Sequence, residues 1–256
     1  MIISVLNQKG GVGKTTSALN IGASLANKGK KTVLIDLDPQ SNLTSGLGLN
    51  ISSEGENKNL SIYEVLIDDL PISQVFVSTS IPNLFLVPSN ISLAGAEIEL
   101  VNKLSREHKL KNALMKFSEN YDYVIIDSPP SLGILTINSL VAAQKVLVPV
   151  QCEYYALEGI SQLLKTIELV KDSLNPDLEL LGVLLTMYDN RIKISESVAS
   201  EIKGFFKEKT FDTIIPRNVK LSEAPSFGKS IFEYDPASTG AMAYDKFSDE
   251  LIKKYG

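Results

Sequence analysis

The stretch Lys9–Thr16, KGGVGKTT, lies between a short apolar run and an amphipathic segment of helix length. Its three glycines, Gly10, Gly11 and Gly13, let backbone N–H groups approach a bound anion without a Cβ in the way. The amphipathic segment begins at Lys14, and a helix N-terminus favours negative charge. These features predict a strand, a phosphate-binding loop and a helix, in that order.

The two residues after the last glycine indicate a triphosphate. The Lys14 ammonium can bridge the outer phosphates, and Thr15 places a hydroxyl where Mg²⁺ sits beside them. The pattern departs from the general P-loop, G-x-x-x-x-G-K-[ST], because Gln8 stands at the first glycine and Lys9 adds a second lysine. The loop residues predicted to bind the nucleotide are Lys9, Gly10, Gly11, Val12, Gly13, Lys14, Thr15 and Thr16.

A dinucleotide-binding loop is the alternative interpretation. Its pattern, G-x-G-x-x-G, begins correctly at Gly11 and Gly13 but meets Thr16 at the third glycine. Asp36, at the end of the next apolar run, favours this alternative because an acid there can bind a ribose. A dinucleotide loop has no use for a Lys-Thr pair, however, and a glycine-rich turn without function explains that pair no better.

Three aspartates follow apolar runs of strand length. Asp36 and Asp38 lie in DLDPQ, and Asp127 ends YVIID. Residues two apart in an extended segment point to one side, and acids at the ends of parallel strands suit a metal–triphosphate site. We expect Asp127 to support Mg²⁺ and Asp38 to position the attacking water. The alternative is that these acids only cap loops or helices.

Apolar runs of strand length alternate with helical periodicity along the chain, and the runs are too continuously apolar for a half-exposed sheet. The predicted strands are Ile2–Leu6, Thr32–Asp36, Gln74–Val77, Leu84–Val87, Tyr123–Asp127, Lys145–Val150, Leu178–Thr186 and Thr213–Pro216. The predicted helices are Lys14–Lys28, Ser131–Ala143, Leu157–Ser173, Ser195–Glu208 and Pro236–Tyr255. We expect one α/β domain over residues 1–256, with a doubly wound, mostly parallel sheet flanked by helices and a polar loop at 52–59.

Composition excludes several classes of function. The 256 residues carry 25 Lys+Arg and 30 Asp+Glu, a net charge of −5, which gives no global argument for nucleic-acid or membrane binding. One cysteine, Cys152, and one histidine, His108, exclude an internal disulfide, a Cys-rich metal site and a His-based triad. No apolar run is long enough to span a membrane, and the first strand starts at Ile2, so we expect a cytoplasmic protein without a targeting segment.

Five blocks in order make the chain resemble the ParA/Soj family of partition ATPases, in the deviant Walker A (ParA/MinD) class of P-loop NTPases. They are NQKGGVGKTT (7–16), DLDPQSNLTSGLG (36–48), YVIIDSPPSLG (123–133), PVQCEYYALEG (149–159) and the block that ends in IPRNVKLSEAPSFGK at Lys229. The match covers nearly the whole chain, and five blocks are far more specific than one loop.

The resemblance implies ATP and Mg²⁺ as cofactors, and it assigns roles to single residues. Lys9 would reach across an ATP-dependent homodimer to the partner's phosphates, while Lys14 and Thr15 would act within their own subunit. Asp38 would orient the water for slow hydrolysis, with Asp36 and Asp127 supporting the metal shell. The implied catalytic residues are thus Lys9, Lys14 and Asp38. The residues implied to lie near the adenine are Pro216, Arg217 and Asn218.

The resemblance also implies partners. The ATP-bound dimer would bind double-stranded DNA without sequence preference, and a ParB/Spo0J-type protein would stimulate hydrolysis and release it from the nucleoid. Support from the residues themselves is weak, since residues 189–229 are only mildly basic in an otherwise acidic chain. The candidate DNA contacts are Arg191, Arg217 and Lys220.

Three other functions share this type of loop. A MinD-like membrane-associated positioning ATPase is the main alternative, and it would need a C-terminal amphipathic helix with a basic face. Tyr244, Phe247 and Leu251 have helical spacing, but over residues 241–256 three acids balance three lysines, so we expect no membrane binding. A protein like the nitrogenase iron protein needs more thiolates than one cysteine per chain supplies. A biosynthetic ligase stays possible.

Overall fold

The computed structural model describes residues 1–50, 60–115, 117–153 and 156–255, so the predicted loop at 52–59 lies outside it. Within these residues a seven-stranded sheet has the order β3-β4-β2-β5-β1-β6-β7. Its strands are β1 (Ile2–Val5), β2 (Thr32–Asp36), β3 (Val77–Ser78), β4 (Leu84–Val87), β5 (Tyr123–Asp127), β6 (Lys145–Gln151) and β7 (Glu179–Thr186).

All neighbouring strands run parallel except β3, which pairs antiparallel with β4 at one edge. The central strand β1 lies between β5 and β6. Asp36 at the end of β2 is in register with Asp127 at the end of β5, and Val5 at the end of β1 is in register with Asp127 as well. The register therefore brings the C-terminal ends of β1, β2 and β5, and both acids, to the same end of the sheet.

Eleven α-helices connect and cover these strands in the described part of the chain. They are α1 (Lys14–Asn27), α2 (Asn42–Gly46), α3 (Ile62–Ile67), α4 (Leu93–Glu99), α5 (Lys109–Leu114), α6 (Ile134–Ala142), α7 (Ala156–Ser173), α8 (Lys193–Phe206), α9 (Val219–Glu223), α10 (Ile231–Tyr234) and α11 (Thr239–Tyr255). Short 3₁₀ turns lie between several of them.

The sheet is buried on both faces. Along β5, Tyr123 and Ile125 pack with α1 and α11, whereas Val124 and Ile126 pack with the layer that contains α3 to α6. β6 and β7 divide in the same way, with α7 and α8 on the second face. The prediction of an α/β, mostly parallel sheet with helices on both faces is confirmed.

Two predicted strands are wrong in detail. Thr213–Pro216 forms no strand: the Thr213 N–H donates to Glu250 Oε2 at 3.0 Å, proline has no N–H to donate, and only an isolated bridge joins Pro216 to Tyr188. In the predicted strand Gln74–Val77, Gln74 is the last residue of a 3₁₀ turn that begins at Ile72, and the observed strand begins only at Val77. At 213–216 the competing contact comes from Glu250, far along the chain, whereas at 72–74 the local hydrogen bonds of a 3₁₀ turn replace strand pairing.

The C-terminal helix α11 belongs to the core. Tyr244, Phe247 and Leu251 are each at most 1% exposed and pack with α1, and the Tyr244 hydroxyl lies 3.0 Å from Ser17 Oγ. Among the described residues, no helix combines the length and apolarity that crossing a membrane would require. The apolar face that a membrane-binding helix would expose is thus buried against the protein's own sheet.

Helix α1 lies unusually close to β2 at Gly22. A Cβ added there would stand 2.6 Å from Leu34 Cδ2 and 3.2 Å from Leu34 Cγ, and Leu34 is fully buried. The glycine therefore sets the distance between the helix that follows the phosphate loop and the strand that carries Asp36.

We predict that Gly22→Ala lowers the free energy of unfolding by about 1–3 kcal/mol, because overpacking a fixed core outweighs the better helix propensity of alanine. Urea denaturation measures this change. Gly204→Ala on α8 is the control: a Cβ there meets nothing within 4 Å, so the same replacement should be neutral or stabilising by roughly 0.5–1 kcal/mol. Equal stability of the two variants would contradict the close packing.

Candidate nucleotide-binding site

The glycine-rich loop joins β1 to α1 in a conformation that glycine makes possible. Gly11 and Gly13 have φ angles of +74° and +87°, in the left-handed region. Side chains from neighbouring strand ends hold the loop: Asn7 Nδ2 donates to Pro149 O at 2.7 Å, and Thr186 Oγ1 donates to Val12 O at 2.8 Å. The loop backbone is therefore anchored to β6 and β7.

Lys14 is buried at the start of α1. It is 7% exposed, and its Nζ donates to Lys9 O at 3.2 Å, across the loop. Burial lowers the pKa of the ammonium, while the negative charges of Asp127 and Asp38 act in the opposite direction. A phosphate placed in the loop would give this desolvated cation a strong partner.

Asp127 is the group that most clearly lacks a partner. It is fully buried, and neither carboxylate oxygen meets a donor at hydrogen-bond geometry within the described part of the chain. Burial raises its pKa well above the ordinary value, and the charge of Asp36 adds to this; the Thr15 hydroxyl and Lys14 oppose the rise. Oxygen ligands of this kind fit Mg²⁺, so the residues present are suited to the metal.

Asp36 lies beside Asp127 and is fully buried too. Its Oδ2 accepts hydrogen bonds from Thr44 N at 2.9 Å and Thr44 Oγ1 at 2.7 Å, and its Oδ1 accepts one from Asp38 N at 3.2 Å. Burial raises its pKa to about 6, although these hydrogen bonds act to lower it. Asp36 thus both fixes the start of α2 and contributes negative charge to the strand ends.

A cavity of about 790 Å³ opens above the loop. Of the three acids only Asp38 lines it, together with Lys14 and Thr15. Asp38 also accepts a hydrogen bond from Gln40 N at 2.9 Å, so the turn-capping role left open by the sequence is observed as well. Val12 lies within the loop with its side chain buried, and its carbonyl accepts the hydrogen bond from Thr186 Oγ1.

Several cavity residues escaped the sequence reasoning. They are Leu19, Gln40, Asn42, Ser45, Pro130, Met187, Pro225 and Ser226. They come from five separate segments, and no single motif joins them. The one available signal was that most of them lie inside or next to the quoted sequence blocks.

A second cavity, of about 270 Å³, contains Pro216, Arg217 and Asn218. It shares Gly13, Thr16 and Met187 with the larger cavity, so the two adjoin. The Asn218 side chain is already engaged: its Oδ1 accepts from Lys220 N and its Nδ2 donates to Thr239 Oγ1. The Asn218 side chain thus caps α9, and the segment 216–218 lines the cavity with its other atoms.

Lys9 lies away from its own cavity. Its Nζ is 3.3 Å from Glu153 Oε2, and the two side chains are 44% and 52% exposed. The other Glu153 oxygen accepts from Gln151 Nε2 at 2.6 Å. Within one chain, therefore, the structure brings Lys14, Thr15 and Asp38 together but leaves Lys9 at the rim.

The three candidate DNA contacts differ in their surroundings. Arg191 makes a bidentate pair with Asp189, at 2.9 and 2.7 Å. Lys220 Nζ lies 2.9 Å from Glu223 Oε2. Arg217 is exposed, and among the described residues its side chain makes no ion pair within 4.0 Å. Two of the three cations are therefore already balanced by acids.

Comparison with known proteins agrees with this geometry. A family model described as an AAA domain matches residues 1–180. The sporulation initiation inhibitor protein Soj of Bacillus subtilis is 53% identical over 250 residues, which cover 98% of this chain and 97% of Soj. The chain belongs to the ParA/Soj family. The ParA/Soj relatives include the chromosome partitioning protein ParA of Myxococcus xanthus, 52% identical over 99% of this chain and 88% of its own, and the chromosome-partitioning ATPase Soj of Treponema pallidum, 49% identical over 98% and 96%.

Solved structures confirm the P-loop NTPase fold of this ParA/Soj chain. A cobyrinic acid a,c-diamide synthase from Mycobacterium smegmatis, with bound ADP and magnesium, is 41% identical with a TM-score of 0.85, over 99% of this chain and 94% of its own. The cell division ATPase MinD of Pyrococcus furiosus superimposes with a TM-score of 0.79 at 22% identity, over 99% and 98%, and supports the fold alone.

We predict that Asp127→Asn stabilises the protein in the absence of metal and nucleotide. Because the folded pKa of Asp127 is raised, the folded wild type holds this proton more tightly than the unfolded chain does. It therefore loses stability as the pH rises from the ordinary carboxyl range through the raised pKa, and the asparagine variant does not. Melting temperatures from about pH 5 to about pH 8 in EDTA should show the variant's advantage growing with pH.

Asp177→Asn serves as the control for this experiment, since Asp177 is exposed. Its melting temperature should follow that of the wild type at every pH. A gap between wild type and Asp127→Asn that does not depend on pH would mean that the charge of Asp127 is not what destabilises the metal-free fold.

Proposed function

We propose that this protein is an ATP-dependent DNA partition ATPase that works in the cytoplasm on the nucleoid. The observation that carries the proposal is that Lys14, Thr15 and Asp38 line one cavity, with the unpartnered carboxylate of Asp127 buried behind it. This arrangement is suited to a metal–triphosphate and a positioned water. The full-length likeness to ParA and Soj relatives supports partition as the purpose of hydrolysis.

ATP binding would use the loop first. The Lys14 ammonium exchanges its hydrogen bond with Lys9 O for the outer phosphates, and the backbone N–H groups of the loop surround the others. Thr15, Asp36 and Asp127 would hold Mg²⁺, which neutralises phosphate charge when bound. Asp38 then orients the attacking water. Among the described residues that line the cavity there is no histidine, and Asp38 is the one carboxylate, so we expect slow hydrolysis.

The base would occupy the adjoining smaller cavity. Gly13, Thr16 and Met187 line both cavities, as a ribose joining phosphates to a base requires. Pro216 and Arg217 border the far side, and the Arg217 N–H is bonded to Tyr188 O at 2.9 Å, which fixes the segment. We assign the adenine to this place.

Dimerisation would explain why the Lys9 side chain lies outside the nucleotide cavity of its own chain. Its ammonium lies outside its own cavity, on an exposed side chain, and the Glu153 pair that holds it is weak because both groups are solvated. In an ATP-bound homodimer Lys9 would leave Glu153 for the phosphates of the partner subunit. Two chains would then enclose two nucleotides, and hydrolysis would separate the two chains.

DNA binding would use the segment that holds Arg191, Arg217 and Lys220, doubled by the dimer. Contacts to phosphates alone carry no sequence information, which agrees with nonspecific binding of double-stranded DNA. We further propose that a ParB/Spo0J-type protein stimulates hydrolysis and so controls release from DNA.

Two rival functions have specific observations against them. An amide-forming synthase, like the neighbour from Mycobacterium smegmatis, needs a nitrogen source; Cys152 cannot serve as a nucleophile that frees ammonia from glutamine, because it is 2% exposed and burial raises its pKa to about 11. A MinD-like membrane ATPase needs a free amphipathic surface, whereas α11 is packed in the core.

The proposal is tested by binding to nonspecific duplex DNA with ATP, with ADP and without nucleotide, across a salt series. We expect tight binding only with ATP, weakening steeply with salt. Lys14→Ala should abolish ATP binding, and with it DNA binding in every state. Tight ATP binding without any DNA binding would reject partition, and liposomes would then test the MinD-like alternative.

Arg217 should contribute more to DNA binding than Lys220, because Glu223 already balances the charge of Lys220. We predict that Arg217→Ala lowers the salt slope by about 0.9 per chain, or about 1.8 per dimer, and that Lys220→Ala lowers it by less. Lys171→Ala, an exposed lysine on α7, is the control. A larger loss for Lys220→Ala than for Arg217→Ala would contradict the prediction.

A further inference from the structure

Thr44 is a buried threonine next to the site that none of the roles above uses. It lies on α2, is 1% exposed, and directs both its hydroxyl and its backbone N–H at Asp36 Oδ2, at 2.7 and 2.9 Å. We infer that Thr44 is a positioning residue for hydrolysis, which acts on Asp38 through Asp36. The inference rests on the proposed ATPase function and adds to it a residue outside the cavity.

The hydroxyl of Thr44 is fully used. It donates its one hydrogen to Asp36 and accepts a hydrogen bond from Ser89 N at 3.0 Å. Ser89 is also fully buried, just beyond the end of β4. Thr44 therefore joins the ends of β4 and β2, which are neighbours in the sheet.

The same network reaches Asp38 from two sides. Asp36 Oδ1 accepts from Asp38 N at 3.2 Å, and Ser89 Oγ donates to Asp38 O at 2.8 Å. Both backbone polar groups of Asp38 are thus held by groups that contact Thr44. Asp36 does not line the large cavity, whereas Asp38 does. The hydrogen bonds of the Thr44 hydroxyl thus lead to Asp38, whereas Asn42 and Ser45, on the same helix, line the cavity themselves.

Removing the Thr44 hydroxyl should shift the carboxylates of Asp36 and Asp38 without removing any residue that lines the nucleotide cavity. Asp36 would lose a charge-assisted hydrogen bond, and Ser89 N would lose its acceptor; both residues are fully buried. The backbone N–H of Thr44 stays, so α2 keeps its position. Small displacements of a group that orients a reactant cost rate far more than affinity.

The test compares Thr44→Val, which replaces the hydroxyl with a methyl group, with Thr44→Ser, which keeps the hydroxyl. Thr32→Val is the matched control: Thr32 is also fully buried, its hydroxyl donates to Lys30 O at 3.1 Å, and it lies at the opposite end of β2. Three quantities are measured: kcat and KM for ATP, the gain in ADP affinity when Mg²⁺ replaces EDTA, and the melting temperature.

We expect Thr44→Val to lower kcat at least about tenfold with KM changed less than about threefold, and to lose most of the Mg²⁺-dependent gain in ADP affinity. Thr44→Ser should restore both. Thr32→Val should lower the melting temperature without either effect. If Thr44→Val matches Thr32→Val in kcat and in the Mg²⁺-dependent gain, Thr44 only supports the fold and the inference is wrong.

Two further arms keep the outcome decisive. Thr44→Ala is measured in parallel, because a valine methyl pressed against a carboxylate can prevent folding; the alanine variant should show the same loss of kcat and of Mg²⁺-dependent affinity. If the wild type binds ADP but does not hydrolyse ATP, the proposed function fails on its own, and ADP affinity with and without Mg²⁺ still tests Thr44 without turnover.

Discussion

The parallel pairing of β2 with β5 places Asp36 and Asp127 side by side, fully buried, at the edge of the sheet beneath the phosphate loop. Two buried carboxylates next to each other are costly unless a cation is near. Burial raises the pKa of both, and the charge of Asp36 adds to the rise at Asp127. The features around them are responses to this one constraint. Lys14 keeps a buried ammonium close by, Thr44 donates twice to Asp36, and Thr15 brings a hydroxyl to the same side.

Local features of this fold could be predicted from sequence, and contacts between distant segments could not. The loop and the acids were predictable because a glycine pattern and an apolar run ending in Asp are local. The strand expected at 213–216 failed because Glu250, far along the chain, takes the Thr213 N–H. The same limit hid Met187, which lines both cavities, and it hid Thr44, whose partner Ser89 arrives from another strand.

Charge pairing changes how the basic segment is understood. The family resemblance gave three equivalent candidates, but Asp189 and Glu223 compensate two of them, and Arg217 has no ion-pair partner among the described residues. An acid beside a basic side chain competes with a DNA phosphate for that side chain. The affinity of a basic surface for DNA therefore depends on the acids paired with its cations as well as on its net charge. The pairing with Asp189 and Glu223 therefore lowers the positive potential around Arg191 and Lys220.

The exposed ion pair between Lys9 and Glu153 would influence how long the proposed dimer lasts. A surface pair of this kind contributes about 0.2–1 kcal/mol, and a dimer that uses Lys9 from both chains must break two. The sum, about 0.4–2 kcal/mol, corresponds to roughly a two- to thirtyfold change in the dimer dissociation constant. Because Glu153 does not line the nucleotide cavity, substitutions there could lengthen or shorten the life of the assembled state while the chemistry of hydrolysis stays the same. The lifetime of the dimer and the rate of its chemical step would then evolve separately.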